Sequence, residues 1–446
     1  MNGNESPAVS VPAPPASARH TPAAKRARKA ALAAFLGGTL EYYDFGIFLT
    51  ASSLVFSHIM FGGDGSSAIL LSLATFGVAY VARPLGGIVL GHLGDRYGRK
   101  RVLLATVVLM GTSTFLIGCL PTFATAGVWA PILLVALRLL QGVSAGGEIA
   151  GSSVLVVEHA PARRRGVFGS WAINGPNAGF VVAGLVFIGV AGMPHAALLA
   201  WGWRIPFWLS LFVLGVAYFF RRSIEEPEVF VEQVEAADRG SDQAIPRLPL
   251  WELLRHQAPA VLRVAACALF TTVNTMVSVF ALTFATGPMR LPSSLMLAVS
   301  ILINTIAIGL QPLAGILSDR FGRRPVMLVG CLGCMAGIFG YLDAISAASP
   351  VAIFIAVIGL TLFYTMANGV YPAFFVEMFE TRVRYTGTAV GLQISQLVAG
   401  FAPVVALALA GGDTRNWIPA AVLTAALCAV SVVAIFFARE TFRRTL

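Results

Sequence analysis

Long apolar stretches dominate the chain and restrict its fold more than any other feature. A helix that crosses a bilayer needs about 20 apolar residues, and the sequence contains twelve stretches of about this length or longer. Because backbone polar groups must be paired within lipid, each stretch is predicted to be a helix rather than a barrel strand of about ten alternating residues. We expect an all-α polytopic membrane protein with spans at about 31–58, 67–91, 102–120, 129–157, 166–192, 204–221, 260–286, 294–317, 325–347, 350–376, 385–411 and 418–438.

The few charges are placed unevenly. Only 12% of the 446 residues are charged and the net charge is +10, whereas a soluble domain has about 25% charged residues. Basic residues cluster in alternate loops, around 96–101, 163–165, 221–222, 320–324 and 382–384. Since Lys and Arg are retained in the cytoplasm during insertion, we expect a cell (inner or plasma) membrane protein, a monomer, with both termini cytoplasmic. Charge scattered among loops gives no reason to expect a nucleic-acid partner.

The chain divides into two related halves. The stretch 93–102 (LGDRYGRKRV) recurs as 317–326 (LSDRFGRRPV), and Glu158 and Arg165 are echoed by Glu377 and Arg384. Paired halves around a midplane site are the architecture of secondary transporters. The predicted organisation is a disordered tail at 1–30, a six-helix bundle at 31–221, a polar linker at 222–259, a second six-helix bundle at 260–438 and a C-terminal tail at 439–446.

Ionisable residues deep in apolar spans are costly, which makes them functional candidates. There are five, namely Glu41, Asp44, Arg83, Arg138 and Glu148. At about 1.5 Å per residue, Asp44 and Arg138 fall near the midplane. We expect Arg138 to point into a central cavity and bind a substrate carboxylate, with Gln141 on the same helix face. Arg83 and Glu148 are expected to form an ion pair between two helices.

Glu41 and Asp44 are predicted to carry the coupled proton. They are three residues apart and share a helix face, where burial and mutual repulsion favour the protonated carboxyl. Such a group can take a proton outside and release it inside. Arg138 would oppose protonation until a substrate anion occupies its guanidinium. The alternative is a static bridge between Asp44 and Arg138.

The spans of the second half offer mainly neutral polar groups. These suit hydroxyl or carbonyl groups of a substrate, although polar residues also join helices. The predicted substrate contacts, with two tyrosines of the first span added, are Tyr42, Tyr43, Asn274, Asn304, Tyr364, Asn368 and Gln393.

Several motifs resemble one known family. The stretch 91–100 (GHLGDRYGRK) and its copy at 319–324 (DRFGRR) resemble the signature loops of the major facilitator superfamily. Together with 41–45 (EYYDF), 83–87 (RPLGG), 138–148 (RLLQGVSAGGE) and 201–207 (WGWRIPF), they are similar to the metabolite:proton symporters, which include shikimate, α-ketoglutarate, citrate and proline/betaine transporters.

The resemblance implies a cytoplasmic gate. Asp95 would pair with basic residues at 163–165 and cap a neighbouring helix when the carrier faces outward, and glycines at 94 and 98 permit the tight turn. The alternative is that these charges only set topology. The gate residues are predicted to be Asp95, Arg96, Gly98, Arg99, Lys100, Glu158, Arg165, Asp319, Arg320, Arg323, Arg324, Glu377 and Arg384.

The sequence contains no ATP-binding loop, no nucleophile motif and no metal-ligand cluster. We therefore expect neither an enzyme nor a cofactor or metal, only a proton gradient. The favoured function is symport of a small organic acid, and the alternatives are a compatible-solute (proline or betaine) symporter and a sensor that binds without flux. The stretch 175–179 (GPNAG) faintly resembles a helix-5 motif of drug:proton antiporters, which leaves a proton-coupled exporter of metabolites or drugs as a further alternative.

Overall fold

The fold is a succession of long helices. The computed structural model describes residues 22–61, 66–191, 193–223, 253, 255–410 and 415–442. Its long helical segments are α1 (Pro22–Leu54), α2 (Ser66–Tyr97), α3 (Arg99–Gly118), α4 (Trp129–His159), α5 (Arg165–Ala191), α6 (Arg204–Arg222), α7 (Ala258–Thr286), α8 (Ser293–Phe321), α9 (Arg323–Ser346), α10 (Pro350–Asn368), α11 (Arg384–Leu409) and α12 (Ile418–Phe437). Short helices lie between them at Phe56–Met60, Phe123–Ala126, His195–Ala197 and Tyr371–Val376.

Within the described residues, ten helices, α3 to α12, are long and apolar enough to cross a membrane. The two remaining long helices, α1 with 33 residues and α2 with 32, carry the buried charges Glu41, Asp44 and Arg83. Their lengths are sufficient for two further spans, and the count of twelve spans stays a prediction. The prediction of an all-α membrane protein is confirmed.

The helices form two bundles that meet along two seams. In the first bundle α1 packs on α5, α2 on α4 and α3 on α6, and in the second α9 packs on α10 and α12, and α7 on α11. The seams are formed by α5 with α8 and by α2 with α11. Gly142 and Gly146 of α4 lie against the backbone of α2, where a Cβ atom would overlap it. These glycines allow the close helix approach that their spacing predicts.

Three predicted boundaries are affected. Residues 22–30 belong to α1 and not to a disordered tail, because Ala27 and Ala30 are buried in the bundle: Ala30 clusters with Val156 of α4 and Ala172 of α5. The rest of that predicted tail, 1–21, lies outside the described residues, as do 224–252 and 254 of the predicted linker. Of the predicted C-terminal tail, 439–442 is described and packs onto the bundle, whereas 443–446 is not described.

Candidate functional site

Asp44 lies at the centre of a polar cluster inside the first bundle. Its side chain is fully buried, and its Oδ1 atom accepts hydrogen bonds from the Thr114 hydroxyl at 2.6 Å and the Gln141 amide at 2.8 Å. Arg138 Nη1 lies 3.7 Å from Asp44 Oδ2 and donates to Gln141 Oε1 at 2.9 Å. The predicted neighbours Asp44, Arg138 and Gln141 are thus brought together, and Thr114 joins them without having been predicted.

Arg138 is not among the residues that line the described cavity between the bundles, so its contact with a substrate stays a prediction. Its guanidinium lies over the Phe48 ring at 3.8 Å and near the Phe45 ring at 5.1 Å, and it is fully buried within the first bundle. The aromatic faces and the nearby Asp44 carboxylate compensate the cation where it is withdrawn from water. Any bond between Arg138 and a substrate therefore requires a rearrangement of this cluster.

The prediction that Arg83 pairs with Glu148 is wrong, because each of them has another partner. Arg83 Nη2 lies 3.0 Å from Glu41 Oε1, which joins α2 to α1. The guanidinium also lies 4.3 Å from the centre of the Phe45 ring. The partner of Arg83 therefore lies on α1 and not on α4.

Glu148 pairs instead with Arg221 at the end of α6, through both carboxylate oxygens. The hydroxyls of Thr106 and Ser152 also donate to it, each at 3.0 Å. Arg221 was predicted to be a loop charge, since it stands at the boundary of a span. A guanidinium at a helix end reaches back into the bundle through its long apolar stem.

The described contact surface between the bundles retains a small cavity of about 10 Å³, enough for about one water molecule. Its lining includes Arg83 from the first bundle and Tyr371, Gln393 and Gln396 from the second. The Gln393 amide donates to the Gly146 carbonyl at 2.8 Å. Arg83 Nε has no hydrogen-bond partner among the described residues. Arg83 thus lines this cavity and has one donor that is unused among the described residues.

The other predicted substrate contacts are not gathered here. Tyr43 is buried in an apolar cluster, and its hydroxyl donates to the Pro206 carbonyl at 2.6 Å. That hydrogen bond directs the side chain toward α6, and its contact with a substrate stays a prediction. The Asn304 amide donates to Ser300 of its own helix, and Asn274 is exposed.

Three predicted contacts lie in the interior without lining the described cavity. Tyr42 is half-buried and packs edge-on against Phe180. Tyr364 lies 6.0 Å from Phe270, ring centre to ring centre, and Asn368 is buried. Their contact with a substrate stays a prediction.

At the end of the molecule that carries the basic loops, called the basic end below, Asp95 joins the two bundles. Its carboxylate accepts hydrogen bonds from the Tyr385 and Thr386 backbone N–H groups, at 3.1 and 2.7 Å, and from the Thr386 hydroxyl at 2.8 Å. Asp95 therefore caps the N-terminus of α11, where a negative charge is favoured. The predicted cap is present, but the ion-pair partner of Asp95 is Arg99 at 3.6 Å and not the 163–165 loop.

Asp319 makes the matching contact in the opposite direction. Its two oxygens accept the Gly166 and Val167 N–H groups at 2.8 and 2.9 Å, at the N-terminus of α5. Arg323 also donates to Asp319, at 2.6 Å. Each signature loop thus caps a helix that belongs to the other bundle.

Two buried glutamates extend these contacts. Glu158 accepts from Arg99 at 3.3 Å and from Arg384 of the second bundle at 2.8 Å. Glu377 accepts from Arg323 at 3.1 Å and from the Thr441 hydroxyl at 2.6 Å. Arg165 lies within electrostatic reach of Glu377.

The remaining predicted gate residues have different positions. Arg96 and Arg320 are exposed and lie beside Tyr97 and Phe321, and Lys100 is half-buried. Arg324 donates to the Ile435 and Phe436 carbonyls at the end of α12. Gly98 and its counterpart Gly322 have φ values of 106° and 102°, a region that favours glycine.

Glu440 was missed by the sequence analysis. Its two oxygens accept the backbone N–H groups of Arg323 and Arg324, at 3.0 and 3.1 Å, and so cap the start of α9. A lone acidic residue in a basic tail gave no sequence signal of this role.

Two helical bundles, charge pairs buried in the membrane region and an end closed by contacts between the bundles together define a secondary transporter. The family model of the major facilitator superfamily matches residues 34–403. The shikimate transporter of Escherichia coli K12 is 36% identical over 427 residues, covering 94% of this chain and 96% of that protein. The glycine betaine/proline/ectoine/pipecolic acid transporter OusA of Dickeya dadantii is 34% identical, covering 94% and 85%.

Among solved structures, the proton:xylose symporter XylE bound to 6-bromo-6-deoxy-D-glucose matches with a TM-score of 0.75, at 19% identity over 95% of this chain and 98% of that one. The chain belongs to the major facilitator superfamily. It is a multi-pass membrane transporter and not an enzyme.

Proposed function

We propose that this transporter is a proton-coupled symporter that takes up a small carboxylate-bearing metabolite by alternating access. The observation that carries the proposal is the position of Arg83, which pairs with Glu41 on one side and lines the cavity between the bundles on the other. A guanidinium binds a carboxylate through two parallel hydrogen bonds, and Arg83 Nε is available for one of them.

Competition for Arg83 can link the two fluxes. A substrate carboxylate that binds Arg83 weakens the hold of the guanidinium on Glu41. A buried carboxylate without its cation is costly, so Glu41 then takes up a proton. When the substrate leaves on the other side, Arg83 returns to Glu41 and the proton is released. Glu41 Oε2 has no hydrogen bond among the described residues and is the oxygen that we assign to the proton.

Asp44 is proposed as a second proton carrier in the same bundle. Thr114, Gln141 and Arg138 stabilise its carboxylate, whereas its full burial favours the neutral form. Because these influences oppose each other, small movements of Arg138 change the protonation of Asp44. The static bridge between Asp44 and Arg138 is the competing hypothesis, and replacement of Asp44 separates the two.

We propose that the protein lies in the inner membrane. Its basic end then faces the cytoplasm. The asymmetry of the loop arginines supports it. In this orientation the contacts of Asp95 and Asp319 close the cytoplasmic side, and a monomer suffices for transport because both bundles belong to one chain.

Hydroxylated acids and zwitterions are the two candidate substrate classes. The relatives are named for shikimate, a hydroxylated acid, and for proline and betaine, which are zwitterions. All three substrates carry a carboxylate that Arg83 can bind. Neutral donors and acceptors beside the cavity, at Tyr371, Gln393 and Gln396, suit hydroxyl groups better than a quaternary ammonium, so a hydroxylated acid is favoured.

Export is the less favoured direction. The Gly-Pro stretch of α5 at 175–179, which is the reason for considering export, has a packing explanation. A Cβ atom on Gly38 of α1 would lie 2.8 Å from Pro176 Cδ. Pro176 therefore fits against a glycine of the neighbouring helix, and this contact explains both residues without a role in antiport.

Transport by purified protein in liposomes, with the basic end inside, tests the proposal. An acidic exterior should drive accumulation of a carboxylate substrate from a panel of carboxylates, shikimate, proline and betaine. Expulsion would indicate an antiporter, and binding without flux would indicate a sensor. Arg83→Lys should raise KM for carboxylates about tenfold or more, because a lysine cannot form the two-bond contact.

Arg263→Lys is the matched control, since Arg263 is exposed on α7. An unchanged KM in Arg83→Lys would contradict the assignment of Arg83. If uptake were still driven by the gradient, symport would remain supported, and a residue other than Arg83 would bind the substrate.

A further inference from the structure

A large cavity opens at the basic end, on the seam between α5 and α8, away from the buried ion pairs. Its volume is about 1390 Å³. The first bundle contributes α1, α5 and the turn Ala162–Arg164, and the second contributes α8 and Phe442. This cavity is called the seam cavity below. It is separate from the small cavity beside Arg83, and it borders the cap that Asp319 forms with Val167.

The rim of the seam cavity is strongly basic. Arg28, Arg163, Arg164 and Arg320 line it, against the single carboxylate of Asp319. Asp319 already accepts two backbone N–H groups and the guanidinium of Arg323. Within the described residues, Arg163, Arg164 and Arg320 form no salt bridge, and all three are exposed. The rim therefore carries a net positive charge that calls for an anion.

The wall of the seam cavity is apolar. Leu32, Trp171 and Ile316 line it and are 43%, 36% and 51% exposed, and Phe35 packs edge-on against Trp171. Exposed apolar side chains on membrane helices face acyl chains, and tryptophan is enriched at the level of lipid headgroups. A basic rim over an apolar wall matches a molecule with an anionic head and a hydrocarbon body.

We propose that the seam cavity binds an anionic phospholipid of the leaflet next to the basic end. Its phosphate group contacts Arg163, Arg164 and Arg320, and an acyl chain lies along Leu32, Trp171 and Ile316. Basic pockets between transmembrane helices are suited to anionic headgroups. A free phosphate would satisfy the rim but leave the apolar wall exposed. This inference does not depend on which solute is transported.

The site has a consequence for the two bundles. Arg163 and Arg164 belong to the first bundle and Arg320 to the second, so one headgroup binds both. A ligand that requires both sides of a seam binds best when the seam is closed and therefore favours that state. The proposed lipid thus stabilises the closed basic end.

Lipid binding to the full-length protein in detergent tests the proposal, with native mass spectrometry as the readout. The probes are phosphatidylglycerol, phosphatidylcholine and inorganic phosphate. The variant Arg163→Gln/Arg164→Gln/Arg320→Gln should bind phosphatidylglycerol about 100-fold more weakly, since each of the three basic residues near a membrane surface contributes about fivefold. The matched control is Arg101→Gln/Arg222→Gln/Arg263→Gln, which removes three exposed arginines outside the seam cavity.

Selective binding of phosphatidylglycerol that the first variant loses and the control keeps would support the proposal. If phosphatidylcholine or inorganic phosphate bound as strongly as phosphatidylglycerol, the proposal would be overturned. A second variant, Ile316→Asn, keeps the rim and removes part of the apolar wall, and should weaken lipid binding without loss of the folded protein.

The acidic segment 225–242 of this chain is the alternative occupant. If its neutralised variant gained phosphatidylglycerol binding that the native chain lacks, the segment and not a lipid would occupy the seam cavity, which would also overturn the proposal.

Discussion

At the scale of single residues, each carboxylate buried deep in the first bundle is matched with a guanidinium from another helix. Glu41 faces Arg83, Asp44 faces Arg138, and Glu148 faces Arg221. The three pairs differ in how fully they are satisfied. Glu148 has four donors around it, whereas Glu41 and Asp44 each keep one oxygen without a hydrogen bond among the described residues. We therefore assign a structural role to Glu148 and proton transfer to the other two.

Asp44→Asn removes a titratable group while it keeps the shape of the side chain. We expect it to abolish proton-driven accumulation and to leave exchange of labelled for unlabelled substrate intact, because exchange needs no net proton movement. Both are measured in liposomes. Asp343→Asn, an exposed carboxylate on α9, is the control. Persistence of accumulation in Asp44→Asn would exclude Asp44 as a proton carrier.

Arg221→Gln should destabilise the protein strongly. It leaves Glu148 buried without its cation, a change that costs about 3–5 kcal/mol in comparable buried pairs. Thermal unfolding in detergent should shift to a lower temperature, and the adjacent Arg222→Gln should have little effect because Arg222 is exposed. Equal transition temperatures in the two variants would contradict the structural role of this pair.

The sequence predicted five of the six charges in these buried pairs, but not how they pair. Spacing of three, four or seven residues shows which side chains share a helix face. It does not show how neighbouring helices are rotated, and this rotation decides whether Arg83 meets Glu41 or Glu148. Arg221 was missed for the same reason, since its burial depends on the packing of α6 against α3 and α4.

At the scale of elements, helices were well predicted because long apolar stretches have only one satisfactory backbone conformation in lipid. The start of α1 was not, since its alanines are buried by contacts with α4 and α5 that a single chain segment does not reveal. The caps of α5 and α11 were only half foreseen. Asp95 and Asp319 were identified, but their partners lie on the opposite bundle, far away in sequence.

Substitution of Gly322 tests whether the turn between α8 and α9 requires a positive φ. Its φ of 102° strains any other residue, and a Cβ atom would lie 2.7 Å from Glu440 Oε2. Gly322→Ala should therefore destabilise the protein by about 1–3 kcal/mol. Gly340→Ala, in α9 with open space around it, should be neutral or stabilising. A loss of thermal stability in the second variant but not in the first would contradict this view of the turn.

At the scale of the whole molecule, two symmetric caps hold the basic end closed. Asp95 joins α2 to α11, and Asp319 joins α8 to α5, on the two opposite seams. Opening of this end must break both. We expect the two contacts to contribute to the closed state together, so that loss of one leaves the other to hold part of the closure.

Asp95→Asn presents an amide donor to backbone N–H groups that also donate, and should open the basic end. The rate at which an impermeant thiol reagent labels Gln393→Cys from that end, with Cys119→Ser to remove an exposed thiol, should rise about tenfold, as expected for loss of charge-assisted hydrogen bonds. Asp95→Asn/Asp319→Asn should label faster than either single variant. Glu380 forms an exposed ion pair with Arg382 at the same end. In the control variant Glu380→Gln, the cysteine at position 393 should be labelled at the original rate.

Away from the basic end, the described interior of α7 to α12 contains no buried carboxylate, while α1 to α4 hold three. If Glu41 and Asp44 carry the proton as proposed, we expect cation stoichiometry and cargo preference to be separable properties of this polypeptide. A chimera that keeps residues 1–221 and takes its remaining helices from a relative with another cargo should change what is carried, yet move the same number of hydrogen ions per cycle.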